Sequence, residues 1–296
     1  MATRLFNNIL TLEKNMFNLG RLAVISALLS LSAVNSLTAF DEWECCEEPS
    51  CSRVYIGGFG GGIYSNATTV SQMGTAYFFE DEGGALSIYA KGKTKSTSSG
   101  FGGAQIGYES YKWLGCSDWS LGTAGEVEAF FFSHNKEGHL INPPSRLVSV
   151  PFSEHDFDAS FRMNMGVYLV NVVFSLNNPS LCGFSPYIGG GVGATRISIR
   201  NAESAQVDPL EPGVNHFNSD RGDSSWAFAA QAKAGLRYNF CDSFHLFGEY
   251  RYVYVDTSNY ILGATVYPTH AATSPWNVRI KNMQYNAFAF GLQYDL

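Results

Sequence analysis

The sequence predicts an all-β protein: an eight-stranded antiparallel transmembrane β-barrel, with ten strands as the alternative. Three observations predict it. Residues 225–257 alternate strictly in polarity across a tight turn at Cys241-Asp242. The period is 2, which belongs to strands and not to an amphipathic helix. These two strands run to about 14 residues each, against ~5–6 in a typical globular strand. Short and long connections also alternate along the chain, as short periplasmic turns and long outer loops do in membrane barrels.

Composition agrees. Of 296 residues, 15% are charged and 15% aromatic, and 30 are glycine. The mean hydropathy of −0.06 argues against a helical membrane protein. The net charge is −7, and Asp41, Glu42, Glu44, Glu47 and Glu48 account for much of it. No basic patch is present, so nucleic acid is not an expected partner.

Residues 1–39 read as a secretory signal. Arg21 closes a basic stretch, Leu22–Leu31 form a mostly apolar run, and Ala39 is a small residue before a cut. Met16 offers a second start. Nowhere else does the chain approach the ~18 apolar residues of a membrane helix. Residues 40–52 form an acidic, cysteine-rich periplasmic segment, and residues 53–296 form the barrel.

The eight strands are expected at 53–66, 99–112, 118–134, 156–176, 183–200, 225–240, 243–257 and 280–296. Even strand number returns both chain ends to one side. The short turns are 112–118, 177–182 and 241–242; the long loops are 67–98, 135–155, 201–224 and 258–279. Within the first long loop, residues 75–80 and 85–90 flank Asp81-Glu82-Gly83-Gly84, an extramembrane hairpin with arms too short to span.

Alternation assigns the lumen on six strands. Gln105, Glu109, Glu126, Glu128, Arg162, Asn164, Gln231, Lys233, Arg237, Glu249 and Arg251 are expected inside. Ile106, Val127, Ala129, Phe161, Met163, Met165, Val167 and Leu169 are expected outside. On the first and fifth strands glycines blur the parity, and Arg196 beside Ile197 calls for a bulge. An eight-stranded barrel is only wide enough to be filled by side chains. The lumen set holds four carboxylates and four bases, and unpaired buried charge is costly. The expected lumen is therefore salt-bridged and closed.

Ser185-Pro-Tyr-Ile-Gly-Gly-Gly-Val-Gly-Ala194 resembles the glycine-rich fifth strand of OmpA-like and opacity-like outer-membrane barrels. Residues 228–238 and 247–252 resemble their sixth and seventh strands, and 53–61 is similar to the first. The resemblance implies a bacterial outer-membrane β-barrel in contact with outer-membrane lipid. One departure is the terminus Phe290-Gly-Leu-Gln-Tyr-Asp-Leu296, which is apolar where the family ends on an aromatic residue.

Cys45, Cys46 and Cys51 precede the first strand. Cys116, Cys182 and Cys241 occupy the three short turns, so all six map to one end. In an exported chain they are candidates for disulfides within the barrel or to neighbouring envelope proteins. Non-reducing gel mobility separates the two.

No catalytic constellation emerges, and no cofactor or metal is expected. The glycine runs at 57–62 and 189–193 precede no helix, so they are not phosphate loops. The histidines have no partner fixed by spacing. Arg221-Gly222-Asp223 in the third long loop is a candidate integrin-type ligand for a host cell. The expected role is a surface-exposed structural protein or adhesin, not an enzyme. The alternative is a narrow porin-like channel for ions or small solutes.

Overall fold

The computed structural model describes residues 52–78, 84–115, 118–146, 151–152, 154–240 and 243–296. The leader, most of the acidic segment, and Cys45, Cys46, Cys51, Cys116 and Cys241 lie outside the described residues.

Eight strands close a ring: β1 (Ser52–Ser65), β4 (Thr97–Trp113), β5 (Ser120–Asn142), β8 (His155–Asn177), β9 (Phe184–Asp208), β10 (Asp223–Asn239), β11 (Phe244–Val255) and β14 (Met283–Asp295). Every neighbouring pair is antiparallel, and β14 returns to β1 through pairs such as Gly60 with Phe290. The ten-strand alternative is excluded, and the eight-strand expectation holds. Closure leaves no free edge, as a lipid environment requires of backbone polar groups.

The outer wall of these strands is apolar. Ile56, Ile106, Val127, Phe131, Ile188 and Leu246 all face outward and exposed, and Phe290 is 71% exposed. A water-soluble chain does not leave a continuous belt of this kind uncovered. With closure, the belt makes the fold a transmembrane barrel of the outer-membrane type.

The regions expected to be long loops are mostly strand. Two hairpins, β2 (Thr69–Tyr77) with β3 (Ala85–Thr94) and β12 (Ser258–Leu262) with β13 (Trp276–Ile280), stand on the barrel rim. A further two-residue ladder joins β6 (Ser145–Arg146) to β7 (Pro151–Phe152). The hairpin arms continue the ring strands after short breaks, so β1 runs on as β2 and β11 as β12. Around the top the order is β12-β13-β2-β3-β5-β8-β9. Residues 219–223 close this upper circle: Gly263 N donates to Asp220 O at 2.7 Å, and Ala202 N to Arg221 O at 2.9 Å. The hairpin expected at 75–90 is thus present, but as part of a wall. The loop expectation failed because surface loops and exposed strands share a polar composition.

Strand length shows how far the wall rises. β5 and β8 have 23 residues each and β9 has 25. Twenty-three residues cover about 75 Å of strand, which at a tilt near 40° rises about 58 Å, roughly twice the ~25 Å apolar band of such barrels.

Where the wall leaves the lipid, its polarity inverts. On β8, Tyr168, Val170, Val172 and Phe174 point outward in the lower half, whereas Arg162 and Asn164 point outward above. Phe161, Met163, Met165, Val167 and Leu169 point inward and are buried. Arg162 and Asn164 were expected in the lumen and those five residues outside, so the β8 assignment is corrected. Alternation was read as one rule for the whole strand, but water surrounds its upper half. Arg196 and Ile197 follow the same logic. Arg196 faces out above the lipid and Ile197 faces in, with regular pairing to Gly166 and Met165 and no bulge between them.

The upper tier has an apolar core like that of a soluble barrel. Trp276, Phe157, Phe161, Phe217, Tyr260 and Leu140 are among its buried side chains. A Cβ on Gly74 would sit 2.8 Å from the Trp276 ring, so only glycine admits the indole there. At the junction of the tiers, buried Lys136 donates to the Asn66 carbonyl at 2.7 Å, satisfying an acceptor freed where β1 breaks.

Candidate functional site

The lumen of the membrane-spanning tier concentrates the chain's buried charge. β4 and β5 supply Glu109, Glu126 and Glu128. β10 and β11 supply Lys233, Arg237, Glu249 and Arg251 from the opposite wall. All seven point inward and are buried, as alternation on those strands dictates. Gln105 and Gln231 lie inside with them.

The charges form two layers. Near the periplasmic end Glu109 is the hub. Arg237 grips it in a fork, with Nη1 donating to Oε2 at 2.9 Å and Nη2 to Oε1 at 3.0 Å. Arg53 donates to the same carboxylate from Nε at 2.9 Å and Nη2 at 2.6 Å. The Tyr111 and Ser175 hydroxyls add donors at 2.8 and 2.6 Å. Arg53 also reaches Asp295 at 2.9 Å, next to His245. Forked and shared contacts of this kind satisfy the lone pairs that make a buried carboxylate costly.

The second layer lies farther into the barrel. Lys233 contacts Glu126 and lies 3.6 Å from Glu128, while Arg251 contacts Glu249 and Glu128. Three carboxylates here meet two bases, and neutral donors make up the difference. Tyr55 OH donates to Glu126 at 2.9 Å, Tyr187 OH to Glu249 at 2.8 Å, and Asn171 Nδ2 to Glu126 at 3.0 Å. Gln231 donates to Glu128. Small residues make room for these rings: a Cβ on Gly107 would lie 2.4 Å from the Tyr55 ring.

An aromatic layer covers the charges. Phe59 packs against Phe101, Phe130 and Phe247 with ring centroids 6.2, 6.4 and 6.5 Å apart. The Arg251 guanidinium lies 4.0 Å from the Phe59 centroid, within cation–π range. Above it come Phe132, His134 and Tyr285, and then the upper core. Buried side chains occupy the interior of both tiers. A concavity of about 720 Å³ bordered by Ile56, Ile106, Val127 and Tyr168 lies on the lipid-facing wall, not in the lumen.

Of the eight residues expected in the lumen network, seven are there and Arg162 is not. Arg53, which glycine-blurred parity left unassigned, takes the place of the fourth base. Tyr55, Tyr111 and Tyr187 were also missed, because an aromatic side chain in a barrel sequence reads first as lipid-facing. Cys182 sits exposed in the turn after Asn177, with φ of 51°, and is unpaired among the described residues. Arg221-Gly222-Asp223 leads into β10. Arg221 pairs with Glu203 and donates to the Ala202 carbonyl at 3.0 Å, and the Asp223 carboxylate accepts from Ile261 N at 2.7 Å. Both charged groups therefore have partners within the upper wall. The expectation that no metal-ligand set exists meets an exception among the outer loops, where Glu211, His216 and His270 converge.

A scan against protein-family models and a search of curated proteins give no match. Solved structures similar to this chain include Neisserial surface protein A, at 12% identity and a TM-score of 0.27, covering 80% of this chain and 99% of that one. The outer membrane protein OprG from Pseudomonas aeruginosa has 12% identity and a TM-score of 0.40, covering 82% and 97%. Ail, the attachment invasion locus protein of Yersinia pestis, has 12% identity and a TM-score of 0.23, covering 77% and 98%. No ligand or activity transfers at that distance.

Proposed function

We propose that this chain is a closed bacterial outer-membrane barrel that serves as a surface-displayed structural protein or adhesin. The observation that carries the reading is the double filling. A salt-bridged, aromatic-capped plug occupies the membrane tier, and an apolar core occupies the tier above it. Ions need a continuous polar path, and the aromatic layer and the upper core interrupt one. The upper tier holds its outward side chains on a hydrogen-bonded wall, which suits recognition because ordering entropy is already spent. Outer-membrane lipid surrounds the lower wall. A host-cell surface is the candidate partner above, with Arg221-Gly222-Asp223 one candidate contact. Envelope proteins joined through Cys45, Cys46, Cys51, Cys116, Cys182 or Cys241 are candidate partners below.

Purified protein in planar bilayers is expected to give no reproducible conductance steps. Discrete steps that vanish on replacing Glu126 or Arg251 would instead establish the narrow channel. Adhesion is tested separately. Lys91 and Arg279 flank Ser71 in one register row of the upper wall, with Lys93 beside them, and all three bases are exposed. Reversing these charges is expected to lower whole-cell attachment about tenfold, ~1.4 kcal/mol of binding free energy. Attachment that survives complete loss of the protein removes the adhesin reading and leaves the structural one.

A further inference from the structure

Glu211 and His216 lie in the loop between β9 and β10, and His270 lies in the loop between β12 and β13. The two loops are tied to each other at the top of the barrel. Asn218 Nδ2 donates to the Val266 carbonyl at 2.8 Å, Val266 N donates back to Asn218 Oδ1 at 2.8 Å, and Thr265 Oγ1 donates to the His216 carbonyl at 3.0 Å. The three side chains therefore meet on a framework that is already closed.

Their ligand atoms are close enough to share an ion. His270 Nε2 is 3.3 Å from Glu211 Oε1, His216 Nε2 is 3.7 Å from Glu211 Oε2, and all three ligand atoms lie within 4.8 Å of one another. Donors bound tetrahedrally at ~2.0–2.1 Å are separated by about 3.3–3.4 Å. Small rotations would bring the set to that spacing.

The tautomers are decided by the backbone. His216 Nδ1 lies 3.0 Å from the Ser204 carbonyl, and His270 Nδ1 lies 2.6 Å from the Ala271 carbonyl. A carbonyl only accepts, so each Nδ1 carries the proton and each Nε2 of a neutral ring presents a lone pair toward Glu211. Metal-binding histidines are commonly oriented by a hydrogen bond from the other ring nitrogen in this way. Phe157 and Trp276 pack edge-on against that ring, with centroids 5.1 and 5.9 Å away, and hold its plane.

We propose that Glu211, His216 and His270 bind one divalent transition-metal ion of the zinc class, through two Nε2 atoms and a carboxylate oxygen. Two imidazoles and a carboxylate are a zinc-type donor set, and three protein ligands leave one tetrahedral position for water. His216 is 3% exposed, whereas the Glu211 and His270 side chains are 30% and 16% exposed, so the open position faces the outer rim. The ion would clip the β9–β10 loop to the β12–β13 loop and lock the crown of the upper tier.

The test uses the full chain in detergent, stripped with a chelator and titrated with zinc chloride by calorimetry. One ion per chain is expected at the crown, and cobalt(II) should give the visible d–d bands of a tetrahedral site. Glu211→Gln, His216→Ala and His270→Gln should each weaken binding by at least the ~10–100-fold that loss of an outer-shell partner alone costs. Each variant is checked for the heat-modifiable gel shift of a folded barrel. If His216→Ala fails that check, Glu211→Gln and His270→Gln, at the more exposed positions, decide the matter. Wild-type protein that takes up no zinc, or folded variants that bind as the wild type does, overturn the site and leave a hydrogen-bonded histidine–glutamate cluster.

Discussion

Replacing Arg251 with alanine is expected to destabilise the barrel by about 3–5 kcal/mol, the cost of leaving buried charge without its partner. Arg251 is fully buried, and its partners Glu128 and Glu249 are 0% and 1% exposed at the side chain. Its removal leaves three carboxylates facing Lys233 alone, and it also uncovers the Phe59 ring face. Reversible urea unfolding in lipid vesicles measures the loss. A triple variant, Arg251→Met with Glu128→Gln and Glu249→Gln, is expected to recover most of it, because a neutral set of similar volume avoids the desolvation cost. A single variant within ~0.5 kcal/mol of wild type, the range of an ordinary surface change, would mean that the layer tolerates unpaired charge and that water reaches it. That result would reopen the channel reading.

Trp276→Ala is expected to cost about 3–5 kcal/mol through the cavity it leaves, but the damage should stay in the upper tier. The indole is completely buried, packs edge-on against Phe217 at 6.4 Å, and donates from Nε1 to Thr265 Oγ1 at 3.3 Å. The membrane tier is filled by a different set of side chains and held by lipid. Limited trypsin digestion should therefore begin to cut at exposed Lys91, Lys93, Arg279 or Lys281 while the heat-modifiable gel shift persists. Loss of the shift together with protease resistance would show that the two tiers unfold as one unit, and an uncut variant would show that the upper core tolerates the cavity.

The sequence was most legible where lipid lies outside. On β10 and β11 Trp226, Phe228, Leu236, Tyr238, Phe244, Leu246 and Tyr250 face outward, and Gln231, Lys233, Arg237, Glu249 and Arg251 face inward, as the alternation says. Lipid selects apolar side chains on one face, and the narrow lumen selects polar ones on the other. β8 was illegible for a physical reason. Its lower half is largely apolar on both faces, with Val167, Leu169 and Val173 inside beside only two polar residues, Asn171 and Ser175, and Tyr168, Val170 and Val172 outside. Hydropathy has little contrast to read there, and parity was taken from the upper half, where the solvent is water. Arg53 was illegible because the glycines that follow it carry no side chain to mark a face.

By itself the sequence determined strand number, the order and direction of the strands, the apolar belt, and seven of the eight predicted lumen residues. Those follow from local period and from one uniform solvent on each side of a strand. Only the tertiary structure decided that the outer loops build a second tier with its own core. The same is true of Arg53 joining Glu109, and of Glu211, His216 and His270 meeting at the crown. These depend on contacts between segments 50 or more residues apart, and on a change of solvent partway along one strand. Neither leaves a periodic trace in the chain.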